Sequence, residues 1–234
     1  MSSAQSNIKK SKPHYTGHRQ RLRERFLIGG ADALQDYELL ELLLFMALPR
    51  RDVKPLAKEL LSAYGSLSAL MNAPHAGLSQ IEGISENTAT AIKTVTAIAG
   101  RMMKQELMEQ PLLNNWTRLM DYCHMGMDFE TKEHFRILFL NKKNMLIADE
   151  IQASGTIDHT PAYPREIMKR ALELGATAMI LMHNHPSGDP KPSQADIDMT
   201  QMIIESSRPF SITVHDHIVM ARGCHFSFKQ EGLI

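Results

Sequence analysis

The order of apolar and polar positions divides the chain into two stretches with different periods. From residue 16 to 108 the apolar residues recur at three- and four-residue steps, the period of helices. "TGHRQRLRERFLI" predicts a helix with Thr16 as its cap, and "DYELLELLLFMAL" a second with Asp36 as cap. The second is apolar on most faces, so it is expected between other helices. "DVKPLAKELLSAYG" is a third, capped by Asp52 and stopped by Gly65, and "SLSALM" a short fourth. "LSQIEGISENTATAIKTVTAIAGRMM" reads as a short helix, a tight turn and a long helix N-capped by Ser85. Pro111 marks the joint that follows.

After residue 130 the pattern shifts to period two and to continuous apolar runs. "EHFRILFLN" and "MLIADEIQAS" flank the turn residues "KKN" and predict a hairpin. "PREIMKRALELG" is a helix ended by Gly175, "ATAMILMHN" a buried strand, and "SQADIDMTQMIIESS" another helix. "SITVHDHIVMAR" and "CHFSFK" are two closing strands. The expected organisation is a flexible basic arm at 1–15, an all-helical domain at 16–108, and an α/β domain with a mixed sheet at 112–234.

Composition changes this picture in few places. An apolar content of 43% is enough for a packed core. The 26 basic residues balance the 26 acidic ones, so net charge points to no partner class. Their distribution is uneven: residues 1–30 hold seven basic and one acidic side chain, net +6, whereas 31–110 and 111–234 are each net −3. Such an arm is a candidate contact for nucleic acid, and equally a solvated tail before an Arg-rich helix. Cys123 and Cys224 are far apart and belong to no C-x-x-C pair, which argues against a disulfide framework. The polar N-terminus lacks a signal core, and no apolar run reaches the roughly 18 residues of a membrane span. A cytoplasmic protein without a membrane partner is therefore the expectation.

The candidate chemistry lies in "HNHPSGDPKPSQAD", where the buried strand stops. His183 and His185 are two apart at a strand end, so both imidazoles are expected on one side. A loop with three prolines and a glycine leads to Ser193 and, in the first turn of the next helix, Asp196. Two imidazole nitrogens and one carboxylate suit zinc, and three protein ligands leave a position for water, the catalytic pattern. Either half alone is generic: H-x-H pairs are common, and S-x-x-D is also a helix capping box. A general base for the bound water is also needed, and Glu133, Asp149 and Glu150 are the upstream candidates, among which spacing does not choose.

His183, His185, Ser193 and Asp196 resemble the JAMM motif of the MPN metalloprotease superfamily in every spaced position, and "HNHPSGDPKPS" is similar to the bacterial RadC family in particular. "LLSAYGSLSALM", "PREIMKRAL" and "HDHIVM" resemble RadC segments in the same order, so the likeness runs from about residue 16 to 230. It implies a mixed-sheet MPN (JAMM) domain preceded by a helix-hairpin-helix-like domain. It also implies one Zn2+ per chain on His183, His185 and Asp196, with Ser193 stabilising the oxyanion and Glu133 as base. The implied reaction is attack by zinc-activated water on an amide or isopeptide bond of a peptide or conjugate substrate.

The resemblance extends to Asp216 and His217 of a second H-x-H pair (His215 and His217), as residues supporting the site or as strand packing. It departs at Tyr163, where RadC chains often carry His, with His159 close by. It departs again in the turn Gly83-Ile84-Ser85, where helix-hairpin-helix modules use G-x-G amides to bind the DNA backbone. Three functions stay open: a zinc hydrolase, a DNA-binding and DNA-repair-associated protein with a nuclease-like or structural zinc site, and a metal-dependent scaffold without turnover. In the second, the basic arm and the Gly83–Ser85 turn would meet DNA.

Overall fold

The computed structural model describes residues 17–155 and 163–234. The basic arm at 1–15, the cap expected at Thr16, and His159 lie outside the described residues. The chain divides into two compact units, 1–96 and 97–234, and the division falls inside one long helix.

The first unit is helical: α1 (His18–Gly29), α2 (Asp36–Ala47), α3 (Lys54–Tyr64), α4 (Leu67–Asn72), α5 (His75–Leu78) and the start of α6 (Glu86–Met108). Leu40, Leu44, Leu56, Leu60, Leu70, Leu78 and Ile92 form its core, as the helical period requires. Three caps differ from expectation. α1 begins after Gly17, in a left-handed conformation at φ 82°. Asp36 is the first helical residue of α2, and the cap is Gln35, whose backbone N–H donates to Glu38 at 3.1 Å. Asp52 stands one residue outside the Val53 cap of α3 and accepts the Lys54 N–H at 3.1 Å. Carboxylates near a helix start satisfy orphan amides from several positions, so the pattern locates the start better than the cap. Ser85 does cap α6, its Oγ accepting the Thr88 N–H at 3.2 Å.

The second unit is a three-layer sandwich. Its sheet has the order β2-β1-β3-β4-β5, formed by β1 (Glu133–Leu140), β2 (Leu146–Gly155), β3 (Ala178–Asn184), β4 (Thr213–Ala221) and β5 (Cys224–Ser227). β3 and β4 run parallel and the other pairs antiparallel, so the sheet is mixed. One face packs Leu138, Leu140, Ile180, Met182, Ile218 and Met220 on α7 (Trp116–Met127), a helix the sequence pattern did not mark. The other packs Phe135, Ile137, Phe139, Met179 and Leu181 beneath α8 (Pro164–Leu174) and α9 (Gln194–Ser207). With helices on both faces, β3 is buried at all seven positions, which explains its unbroken apolar run. Among the described residues, no helix is long and apolar enough to cross a membrane.

Candidate metal centre

β3 delivers His183 to the end of the sheet, and the chain continues one ladder step further, the His185 N–H donating to Met220 O at 2.8 Å. His183 and His185 turn their Nε2 atoms towards each other at 2.9 Å. Asp196, one helical turn into α9, brings Oδ1 to 3.4 Å from His183 Nε2 and Oδ2 to 3.8 Å from His185 Nε2. One ligand atom from each of the three lies within 4.8 Å of the others, the single such group among the described residues. A tetrahedral zinc bound at about 2.0–2.2 Å holds its N and O ligands roughly 3.3 Å apart, so these separations and this donor set fit the ion.

The loop between β3 and α9 fixes the geometry. It turns at Gly188, where φ is +89° and a side chain would be strained, and the Gly188 N–H closes on His185 O at 3.0 Å. The returning Asp189 carbonyl lies 2.8 Å from His185 Nδ1. A carbonyl only accepts, so His185 carries its proton on Nδ1 and leaves Nε2 unprotonated towards the centre. Ser193 caps α9: its N–H and Oγ–H donate to Asp196 Oδ2 at 2.7 and 2.6 Å, and its Oγ accepts the Asp196 N–H at 3.2 Å. The generic capping box is therefore present, and it also aims the carboxylate.

Around this triad the imidazoles are braced. Phe135 stacks on His183 with rings 6.4 Å apart, and Phe228 on His217 at 4.6 Å. His183 Nδ1 meets His217 Nε2 at 2.8 Å, and His217 Nδ1 meets Thr200 Oγ1 at 2.5 Å. Burial, then the neighbouring His183, holds the His217 pKa well below that of a free imidazole. Asn184, between the two histidines, is buried and points its carboxamide at the start of β1. Its Oδ1 accepts the His134 N–H at 2.9 Å and its Nδ2 donates to Lys132 O at 2.9 Å. It thereby clamps the backbone on both sides of Glu133. The β1–β3 ladder ends at the Phe135–His183 pair, two residues after Glu133 at the head of β1.

The remaining sequence candidates sit elsewhere. Asp149 is fully buried and held by Arg136 and Tyr122. Glu150 is paired with Arg170 of α8 at 2.7 Å, which keeps its pKa below the usual value. Asp216 is buried and accepts from the His217 and Lys229 backbone N–H groups at 2.8 and 3.0 Å and from Ser227 Oγ at 2.5 Å. It ties β4 to the chain end and has no bond to the triad. Gly83 has φ +92° and Arg51 Nη1 donates to its carbonyl at 3.3 Å, in the first unit. Sequence reasoning missed Asn184, Thr200 and the Asp189 carbonyl. The signals were faint: a polar residue inside a buried run, and a threonine four residues after Asp196.

Two family models match the chain. The one described as RadC-like JAB domain covers residues 113–233, and the one described as UPF0758 N-terminal covers residues 15–90.

Proposed function

The chain belongs to the RadC-like JAB domain family, and from that premise we propose that it is a zinc-dependent hydrolase of amide or isopeptide bonds. The observation that carries the reading is the convergence of His183 Nε2, His185 Nε2 and an Asp196 carboxylate oxygen within 4.8 Å. One zinc ion held by these three residues would lower the pKa of a coordinated water to about 7 and polarise a carbonyl. Glu133 is the general base: it takes the proton of the attacking water and returns it to the departing amine nitrogen. Its place at the head of β1, two residues before the Phe135–His183 pair and on backbone braced by Asn184, supports it over Glu150, which Arg170 engages. Ser193 is the oxyanion donor. Its hydroxyl hydrogen rests on Asp196 Oδ2 and rotates about the Cβ–Oγ bond towards developing negative charge.

The test is a screen of metal-loaded protein against peptide conjugates and nucleic acids, with Glu133→Gln as the blank. Cleavage of an amide-linked conjugate that vanishes in the blank supports the reading. Cleavage of nucleic acid alone replaces it with a nuclease.

A second reading adds DNA association through the helical unit. It is favoured by Arg51, whose guanidinium lies on the Gly83 turn at the start of α6, a cation where backbone phosphates dock on such turns. Ser85 Oγ is taken up by capping α6, so Arg51 stands in for the close amide approach of a second glycine. Arg51→Ala would weaken DNA binding and reduce its salt slope by about one; an unchanged slope removes this reading.

A further inference from the structure

Four polar groups form a continuous hydrogen-bonded circuit, open at both ends, behind the metal centre. His183 Nδ1 lies 2.8 Å from His217 Nε2, His217 Nδ1 lies 2.5 Å from Thr200 Oγ1, and Thr200 Oγ1 lies 2.6 Å from the Asp196 carbonyl oxygen. The circuit starts on one candidate ligand, crosses β4 and α9, and ends on the backbone of another. Each of the first two contacts is between groups that can donate or accept, so distance alone does not orient them.

The third contact does. A carbonyl oxygen has no proton, so a 2.6 Å contact between two oxygens is attractive only if the Thr200 hydroxyl supplies the hydrogen. With that hydrogen committed, Thr200 Oγ1 can only accept from His217, which places the His217 proton on Nδ1. His217 Nε2 is then bare and must accept from His183, which places the His183 proton on Nδ1. His183 Nε2 is left unprotonated and faces His185 Nε2 at 2.9 Å and Asp196 Oδ1 at 3.4 Å, and lone pairs that converge so closely need a cation between them, the place a metal ion would fill. The opposite polarity would send a proton from His183 Nε2 into the centre and leave the two oxygens at 2.6 Å with no hydrogen between them.

We propose that Thr200 and His217 are positioning residues that fix the His183 tautomer, so that its Nε2 lone pair is the one presented to a metal ion. The proposal rests on the metal-centre reading above and adds a device to it. His185 obtains the same tautomer by a shorter route, from the Asp189 carbonyl in its own loop. The two imidazoles are therefore set independently, one by the loop and one by the sheet and helix. His217 is buried between Phe135 and Phe228, so no water stands in for a lost partner.

The experiment compares the full chain with Thr200→Val, which keeps the shape and removes the hydroxyl, and with Thr200→Ser, which restores it. Zinc affinity is read by competition with a chromophoric chelator, beside thermal melts of the metal-free proteins. The expected result is a 10–100-fold loss of affinity in the valine variant and a return to within about threefold in the serine variant, with similar metal-free melts. A valine variant that binds zinc as tightly as the parent overturns the proposal. Should that variant not fold, long-range 1H–15N correlation spectra of the parent decide. A His217 protonated on Nδ1 with a bare Nε2 supports the circuit, and a proton on Nε2 overturns it. A parent chain that binds no zinc defeats the metal-centre reading instead, and the His217 tautomer still judges the circuit by itself.

Discussion

Two His-x-His pairs lie on adjacent parallel strands, and they come to opposite ends. His183 and His185 leave β3 side by side, their Nε2 atoms 2.9 Å apart and facing Asp196. His215 and His217 have the same spacing on β4 and part company. His217 joins His183, whereas His215 bonds Asn144 in the β1–β2 turn at 2.8 Å. The difference is local. The β3–β4 register slips between Met179 and Ile180, which pair with Val214 and Asp216, so His215 is the extra residue of a bulge. Val214 and His217, three apart, then share one face, and two-residue spacing no longer means one side. Identical spacing thus makes a candidate ligand pair only where the strand stays regular and a loop returns a carboxylate.

The two pairs should differ most in metal binding. His183→Ala and Asp196→Ala should lower bound zinc from about one per chain to near none, while His215→Ala keeps it, by elemental analysis of the purified proteins. Zinc retained in the first two, or lost in the third, would invert the roles of the pairs. The next effect concerns turnover. Glu133→Gln should keep the zinc and cut conjugate cleavage by about 10²–10⁴-fold, and activity near that of the parent would move the base elsewhere.

A third effect is on stability. Asp216→Ala leaves three donors without their acceptor in a buried place, so denaturant unfolding of the metal-free protein should lose about 2–4 kcal/mol. Zinc stoichiometry in the folded protein should not change, because Asp216 touches none of the triad. The smallest effect is at His215. Its alanine variant gives up one half-buried hydrogen bond to Asn144, worth about 1 kcal/mol in the same unfolding measurement.

Much of this was legible in the order of residues, for reasons that differ by element. β3 announces itself because a strand covered on both faces carries an unbroken apolar run. The prolines and Gly188 of the following loop advertise a rigid turn, and the structure shows what it holds, the Asp189 carbonyl against His185. α7 escaped notice although Leu119, Met120, Cys123 and Met127 follow the helical period. Polar residues and Gly126 interrupt the apolar stripe, and it lies between a joint and a strand signal. The β4 bulge left no mark, since it depends on which partner residue each backbone group meets. Thr200 and Asn184 were equally silent. Their importance comes from what lies across the sheet from them, and a linear pattern records only neighbours along the chain.

His183, His185 and Asp196 are proposed to hold a zinc ion through two imidazole nitrogens and a carboxylate. X-ray absorption at the zinc edge of the metal-loaded chain tests it most directly. Nitrogen and oxygen neighbours at about 2.0–2.2 Å, the multiple-scattering signature of two imidazoles, and no sulfur are expected. Sulfur at about 2.3 Å, which would implicate Cys123 or Cys224, or the absence of an imidazole signature, would contradict it.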